Sequence, residues 1–485
     1  MSVQNRDLNR TPQSSFFMSK RFLKLMMFMA LAMFVCTPML SAQDGGDGDG
    51  GDGDAAGNTG GVEIDAKGVF KSKALIDSSG VLDRQRFQAA QAALNKDIKK
   101  QSKFRKVSLN RMEAEIAKLK KAGKPIPPEM TYMAGLTRIS HVFYFPDTKD
   151  VVIAGPAEGF YLNGSNYVVG MKSGAPVLQL QDMAVALRTF GPDGKSPKVL
   201  SCSIDPTQQG LKQLKQAYSY AQQQNFQAGD AGAVVDLFRN SLGMQTITVK
   251  GVSPKTHFAQ VMVDADYHMK LIGIGLERPP VRIKSFIEKA SPTAVAKNSL
   301  QRWYFQPNYD YVRVSADEKA MALEGGGVEL VGEDERVSVG GVRSGTGKMN
   351  RASTGFCRSF TKMYGALSEK APLYAELRNL VDMSVAAAFI QEMDFYGDAN
   401  WDLKVFGSEQ AFPVENYNAP THVAPAINAV WKGQYFMTPI GGGVNIQPRA
   451  ALQSNTMKVD ETGDVDKAKK EVQPEKLADG QWWWD

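Results

Sequence analysis

Residues 244–277, MQTITVKGVSPKTHFAQVMVDADYHMKLIGIGLE, decide the fold. The opening residues alternate between two faces and are rich in β-branched side chains, which predicts a strand that ends at Gly251. Ser253 predicts a helix N-cap, and Pro254 suits the first helical position because its missing N–H needs no partner there. Apolar residues then recur at helical spacing, at Phe258, Val261, Met262, Ala265, Met269 and Ile272. The stretch predicts a strand, a turn and a helix with one buried face.

The opposite face of the predicted helix carries charge. Asp264 and His268 stand four positions apart, as do Asp266 and Lys270, and opposite charges at this spacing meet on a helix surface. Asp264 with His268 is also a candidate catalytic pair, because acid–base catalysis needs such groups within hydrogen-bond reach of one another. A solvated surface pair explains the same spacing without a catalytic role.

The elements around this stretch indicate the fold class. Strands alternate with helices over residues 177–277, and residues 300–331 have the pattern of an antiparallel meander. Two helices follow between residues 356 and 390, and the second has an apolar run that indicates burial on all sides. We expect an α+β protein with a layered mixed sheet and packed helices, an antiparallel meander and a C-terminal helical pair.

Changes in composition divide the chain into predicted segments. They are a signal peptide (1–42), a disordered Gly/Asp-rich linker (43–61), a basic helical region (62–128), a mixed α/β domain (129–290), a region with the meander, the helical pair and a closing hairpin at 433–446 (291–450), and a polar disordered tail that ends in a Trp-rich tag (451–485). With 485 residues, 43% of them hydrophobic, the chain can build two or more ordinary domains.

The first segment has the order of a secretory signal peptide. Lys20, Arg21 and Lys24 precede an apolar core at residues 25–35, and Ala42 offers a small residue for cleavage. The alternative is a retained anchor, but the uninterrupted apolar run is short for a bilayer span. We expect cleavage after Ala42.

The cysteines and the net charge limit the class of protein. Cys36 falls in the predicted leader, and Val35 before it is not the small residue expected before a lipidated cysteine. Cys202 and Cys357 do not make a disulfide scaffold, and their placement in separate elements predicts free thiols. The predicted leader holds +4 of the formal charge of +6, so the rest of the chain has a net charge of only +2. A nearly neutral chain has no overall positive electrostatic field that would attract nucleic acid.

Acidic residues of the linker come nearest to a metal-binding pattern. Asp52, Asp54 and Glu63 fall at the positions of a calcium-binding loop. Ala56, however, stands where a ligating side chain is expected, and diffuse attraction of cations is the alternative. No two His or Cys residues stand at metal-ligand spacing, and the sequence predicts no cofactor.

Two further features offer chemistry. The basic run at residues 99–106 lies between two predicted helices and is either a patch for an anionic partner or a solvated face. Glu158 lies between Gly155 and Gly159 in a loop after a predicted hairpin, which could present its carboxylate openly. Glu158 is therefore the candidate acid of a hydrolase, although no partner base stands at an informative spacing.

The chain ends in three tryptophans and an aspartate, after a charged segment. Burying a large apolar side chain is worth about 1.5–3 kcal/mol, so Trp482, Trp483 and Trp484 are expected to bind a surface. That surface is either a groove on the protein's own body, or a partner or the membrane–water interface. These tryptophans are the candidate partner-binding residues.

Several stretches share their length and order with one known family. They are RKVSLNRMEAEI (105–116), AGLTRISHVFYFPDTKDVVIAGPAEGF (134–160), SCSIDPTQQGL (201–211), HFAQVMVDADYHMKLIGIGLE (257–277), ELRNLVDMSVAAAFI (376–390) and GGGVNIQP (441–448). They resemble the exported family typical of planctomycete bacteria that is catalogued as domain of unknown function 1598. The resemblance covers most of residues 62–450 and implies export and one shared architecture. It implies no catalytic residue, cofactor or substrate.

These observations favour an exported globular protein with a non-enzymatic binding or structural role in the cell envelope or outside the cell. The expected partner is an envelope or extracellular protein or glycan. No nucleic acid is expected, and no transmembrane span is expected once the leader is cleaved. The alternative is an exported hydrolase that uses the loop carboxylate of Glu158.

Overall fold

The computed structural model describes residues 61–72, 77–224, 226, 228–291, 299–338, 340–428, 430–432, 435–437, 443–453 and 455–485. The predicted signal peptide, the predicted linker up to residue 60, and with it Asp52 and Asp54, lie outside the described residues.

The described helices are α1 Val81–Ala93, α2 Lys96–Lys99, α3 Leu109–Lys121, α4 Pro128–Thr131, α5 Leu180–Thr189, α6 Gln208–Gln223, α7 Ala231–Leu242, α8 His257–Gly273, α9 Phe286–Lys289, α10 Arg351–Lys370, α11 Pro372–Glu392, α12 Phe395–Ala399, α13 Pro448–Ala451 and α14 Asp464–Val472. None of them combines the length and the apolar character needed to cross a membrane.

The described strands are β1 Val62–Ile64, β2 Val69–Ser72, β3 Ser102–Ser108, β4 His141–Phe145, β5 Asp150–Ala157, β6 Phe160–Leu162, β7 Val168–Gly170, β8 Leu200–Asp205, β9 Gln245–Lys250, β10 Ser299–Asn308, β11 Tyr311–Val314, β12 Ala320–Glu324, β13 Gly327–Val337, β14 Arg343–Gly345, β15 His422–Val423, β16 Val430–Lys432, β17 Tyr435–Met437, β18 Gly443–Ile446, β19 Met457–Val459 and β20 Trp483–Trp484.

Two large sheets organise the described residues. The larger sheet has the strand order β1-β2-β15-β9-β8-β18-β10-β13-β14, and the second has the order β19-β11-β12-β4-β5-β3-β20. Most neighbours are antiparallel, but three pairs of the described strands are parallel: β2 with β15, β10 with β18, and β11 with β19. Mixed sheets with helices packed on them confirm the expected α+β class.

Residues 244–277 fold as a strand and a helix, with one difference from the prediction. β9 pairs with β8 in the larger sheet, and α8 packs against β8. The helix is capped by Thr256 rather than Ser253, because Thr256 Oγ1 accepts a hydrogen bond from the Ala259 N–H at 3.2 Å. Pro254 therefore lies in the turn before the helix and not at its first position.

One hydrophobic cluster joins both sheets with α5, α8 and α11. The predicted segments 62–128, 129–290 and 291–450 all contribute residues to it, while their boundaries stay a prediction. Most residues of helix α11 are buried, and residues 385–390 are 0% exposed, as the apolar run predicts.

The described residues of the tail at 451–485 include folded elements, in contrast to the expectation of a disordered tail. It forms β19, α14 and β20, and α14 covers the outer face of the second sheet. Val465 and Val472 of α14 pack there in one cluster with Phe143 and Val152 of β4 and β5. These two valines stand two helical turns apart, on one face of a helix that is rich in charged residues. This narrow apolar face is enough for the helix to pack on the sheet, although the overall composition is polar.

The basic region contains a strand that the sequence did not predict. Within the run 99–106, residues from Ser102 onward belong to β3, which pairs antiparallel with β5. Arg105 is 0% exposed, so this position is neither a solvated face nor an exposed patch. Its Nη1 donates to the carbonyl oxygens of Ile98 and Ala134 at 3.0 and 2.8 Å, and these hydrogen bonds permit a buried cation.

The strands of the predicted meander pair as two nested hairpins. β10 pairs with β13 in the larger sheet, whereas β11 pairs with β12 in the second. The helical pair follows as α10 and α11. In the predicted closing hairpin at 433–446, β17 pairs back with β16, and β18 instead joins β8 and β10.

Candidate functional site

A cleft of about 170 Å³ opens beyond the end of β10. Residues from the end of β10, from α13 and from the turn before β19 line it, among them Gln306, Asn308, Tyr309, Gln447, Ala450 and Thr456. The parallel pairing of β19 with β11 and the contact of α13 with α11 bring these separate parts of the chain together.

The lining of the cleft is polar but uncharged. Amide groups come from Gln306, Asn308 and Gln447, and a hydroxyl comes from Thr456. Gln306 Nε2 donates to Glu329 Oε1 at 2.6 Å, which fixes the orientation of this amide. Among the described lining residues there is no Asp, Glu, His, Lys, Arg or Cys. The amides and hydroxyls of the cleft can donate and accept hydrogen bonds.

Tyr309 is fixed at the floor of the cleft by a buried ion pair. Its hydroxyl donates to Asp382 Oδ1 at 2.7 Å, and Arg138 Nε donates to Asp382 Oδ2 at 3.0 Å. Asp382 is 0% exposed. Burial and the neighbouring Asp382 raise the pKa of Tyr309 well above its usual range, so its hydroxyl stays protonated. The ring is thus a rigid part of the wall.

Glu158, the candidate catalytic acid, is buried and not openly presented. It is 3% exposed, and its carboxylate accepts hydrogen bonds from the N–H groups of Lys172 at 2.8 Å and Ser173 at 3.1 Å. The Ser173 hydroxyl also donates to it. The turn can close over the carboxylate because Gly170 has no side chain: a Cβ there would lie 2.3 Å from Glu158 Oε1. Glu158 holds this turn in place.

Asp264 and His268 are brought together, but the pair is not on a solvated surface. Asp264 is 2% exposed, and its Oδ1 lies 3.4 Å from His268 Nε2. On the other side of the ring, His268 Nδ1 lies 2.5 Å from Glu277 Oε2. Burial opposes the charge of His268, but Asp264 and Glu277 outweigh it and raise its pKa to about 10. His268 is therefore a fixed cation near neutral pH and a poor general base.

Sequence reasoning missed a buried acid–histidine cluster between α5, α8 and α11. His257 Nδ1 lies 2.8 Å from Asp182 Oδ2, and both side chains are 4% exposed. Glu376 of α11 completes the cluster, and its burial raises its pKa to about 7 although His257 opposes the shift. The available signal was Asp182 and Glu376, a carboxylate next to apolar residues in each of two helices. The three helices enclose the cluster, and none of its residues lines the cleft.

The C-terminal tryptophans bind the protein's own sheet, which is the first of the two surfaces considered for them. Trp483 and Trp484 form β20 and pair antiparallel with β3. Trp482 is 7% exposed and belongs to the main hydrophobic cluster. Arg105 binds Asp485 through two hydrogen bonds, Nε to Oδ1 at 2.8 Å and Nη2 to Oδ2 at 3.0 Å.

The cysteines and the metal candidates complete the set of predicted sites. Cys202 and Cys357 are free, buried thiols, as predicted, and burial raises the pKa of Cys357 to about 12. Glu63 lies in β1, and the two linker acids lie outside the described residues. In the part of the chain that the structure describes, no three His, Cys, Asp or Glu residues are grouped so that they could hold a metal ion.

Fold and site together define an α+β protein with a cleft built for hydrogen bonding. Residues 202–286 match the family model described as protein of unknown function (DUF1598), so the chain is DUF1598-like over the segment from β8 to α9. The match includes the strand and helix of residues 244–277 and is narrower than the resemblance seen in the sequence. Searches of curated proteins and of solved structures found no match.

Proposed function

We propose that this chain is an exported, non-enzymatic binding protein of the cell envelope or extracellular space, and that its cleft beyond β10 holds a glycan. The observation that carries the proposal is the lining of the cleft, which offers amides and hydroxyls and has no Asp, Glu, His, Lys, Arg or Cys among its described residues. Export rests on the signal-like order of residues 1–42, and a planctomycete envelope rests on the sequence resemblance.

The chemistry of the lining favours a hydroxyl-rich ligand. An amide side chain and a threonine hydroxyl each donate and accept hydrogen bonds, and sugar hydroxyls do the same. Tyr309, which Asp382 holds at 2.7 Å, adds a rigid wall that loses no conformational freedom on binding. Such a site gains affinity from matched hydrogen bonds without any charge on the ligand.

The hydrolase alternative has less support. The carboxylate of Glu158 is occupied by the turn at Lys172 and Ser173, and His268 is held between two carboxylates. A catalytic group must reach the substrate with a free proton or lone pair. Both candidate groups are committed to contacts within the protein.

The proposal is tested by co-sedimentation of the chain from Gln43 onward with isolated envelope fragments from a planctomycete. Replacing Asn308 and Gln447 together by alanine should weaken binding roughly tenfold, because two or more neutral hydrogen bonds are lost. The matched control replaces Gln222 and Gln223, exposed amides of α6, and should bind like the wild type.

Equal binding by the cleft variant and the control would contradict a role of the cleft. Release of soluble sugar from the fragments, abolished by Glu158→Gln in a folded protein, would support the hydrolase instead. The intact mass of the secreted product tests export separately, with cleavage after Ala42 as the expected result.

A further inference from the structure

Two arginines converge beside the glycine turn between β12 and β13. Arg138 precedes β4 in the chain, and Arg378 lies on α11. Both reach Gly327: a Cβ built on this residue would lie 3.1 Å from Arg378 Cγ and 3.5 Å from Arg138 Nη2. Gly326, next in the turn, is exposed and has no atom near its missing Cβ. A side chain at Gly327 would push the two arginines away, so the glycine permits their approach.

The arginines share one carboxylate, and it is already in use. Asp382 accepts hydrogen bonds from Arg138 Nε at 3.0 Å and from the Tyr309 hydroxyl at 2.7 Å. Arg138 Nη2 also donates to the Gly325 carbonyl oxygen at 3.1 Å. Arg378 and Arg138 thus both lie near one buried aspartate, whose carboxylate forms its ion pair with Arg138.

Arg378 carries the unused hydrogen-bonding capacity. Its Nε is buried and has no hydrogen-bond partner among the described residues. Tyr364, one of its neighbours, donates instead to the Tyr374 carbonyl oxygen at 2.7 Å. Burial lowers the pKa of Arg378, and Arg138 acts in the same direction, while Asp382 opposes both. A cation in this position would be stabilised by an anion.

Both arginines are partly exposed at this turn. The side chain of Arg138 is 22% exposed, Arg378 is partly exposed, and the turn above them is short and open at Gly326. The guanidinium fork matches the two oxygens of a carboxylate, sulfate or phosphate group, and charge-assisted hydrogen bonds of this kind are about twice as strong as neutral ones.

We propose that Arg378, with Arg138 beside it, forms a binding site for an oxyanion, in which Arg378 donates to the anion while Arg138 stays paired with Asp382. The site adjoins the cleft, because Tyr309 lines the cleft and binds Asp382. It does not depend on the proposed glycan binding: it requires only an anionic group, either inorganic or carried on a sugar.

Isothermal titration calorimetry of the chain from Gln43 onward tests this site, with sodium sulfate, sodium phosphate and sodium glucuronate as probes at constant ionic strength. We expect saturable binding of at least one probe. Arg378→Gln should weaken it roughly tenfold or more, because charge-assisted hydrogen bonds are lost. Arg378→Lys keeps the positive charge but lacks the planar guanidinium group. Its affinity should lie between those of the wild type and of Arg378→Gln.

The matched control is Arg358→Gln, which removes an exposed arginine of α10 and should leave binding unchanged. Tighter binding of glucuronate than of the inorganic ions would identify a sugar carboxylate as the ligand group, and the reverse order would identify a free ion. No saturable binding of any probe, or an equal loss in the Arg358 and Arg378 variants, would overturn the proposal. If Arg378→Gln does not fold, the test relies on Arg378→Lys. Unchanged affinity of Arg378→Lys would then overturn the proposal that the guanidinium group of Arg378 binds the anion.

Discussion

His268 shows at the scale of a residue how burial changes what a side chain can do. An exposed histidine titrates near neutral pH and can act as a base, but this one lies between the carboxylates of Asp264 and Glu277. Glu158 is a similar case, since its carboxylate satisfies two backbone N–H groups of a turn. In both cases the partners, and not the residue type, determine the role.

Replacing His268 by glutamine should make stability less dependent on pH. The pKa of His268 is raised from 6.5 to about 10, so the folded state holds this proton more tightly than the unfolded state. Its stabilisation is fully present below about pH 6.5 and is lost as the pH rises through about 10. The excess stability of the wild type over H268Q should therefore shrink from pH 7 to pH 10, by at most about 1.4 kcal/mol per pH unit.

Urea unfolding at several pH values measures this difference. His422→Gln is the matched control, because His422 is an exposed histidine at the short strand β15 and should show a difference that does not follow this pH course. A gap between wild type and H268Q that stays constant from pH 7 to pH 10 would contradict the raised pKa.

At the scale of elements, several segments owe their structure to partners distant in the chain. β3 has a basic sequence, yet it is a strand because β5 pairs on one side of it and β20 on the other. α14 has a charged sequence, yet it packs through Val465 and Val472 on the second sheet. Both elements are rich in charged residues, and contacts with distant parts of the chain determine their conformation.

Deletion of residues 481–485 should lower stability. The deletion removes β20 from the edge of β3, takes the buried ring of Trp482 out of the core, and leaves Arg105 without its carboxylate. Loss of the tryptophan burial alone predicts a decrease of roughly 3 kcal/mol in the free energy of unfolding. Thermal and urea denaturation measure the change.

Asp485→Asn is the companion variant, because it keeps the strand and the rings and changes only the charge that Arg105 binds. Asp485→Asn should lower the free energy of unfolding by less than the deletion does. An unchanged melting temperature after the deletion, together with lost envelope association, would instead indicate that the tail acts on a partner.

At the scale of the whole molecule, one hydrophobic cluster runs from Val62 to Trp482. Cys202 on β8 and Cys357 on α10 both belong to it and are free. Burial raises the pKa of both thiols, to about 12 for Cys357, so little reactive thiolate exists at neutral pH. Their reactivity therefore reports whether the cluster is intact.

We expect these two thiols to be unreactive in the native protein and titratable in denaturant. The colour reaction with a disulfide reagent should count two thiols after leader cleavage and three if Cys36 is retained. The native protein under the same conditions is the control. A count of zero in denaturant would reveal a disulfide, and fast native reaction would contradict the burial.

The sequence by itself determined those features that repeat over short distances. Alternation predicted β9 and the hairpin of β4 and β5, helical periodicity predicted α8, α10 and α11, and the apolar run at 385–390 predicted full burial. These patterns suffice to predict such elements because the repeat of a strand or helix involves only residues close together in the sequence. The sequence also predicted the α+β class and the free cysteines. The residues that line the cleft, in contrast, belong to no sequence motif.

Only the tertiary structure decided which polar residues meet and which are covered. Arg105 is buried because carbonyl groups and Asp485 from remote parts of the chain surround it. Asp382 joins Arg138 and Tyr309 across more than two hundred and more than seventy positions, respectively, and no local pattern encodes such a pairing. The physical reason is that a buried charge requires partners, and the fold can recruit them from any distance along the chain.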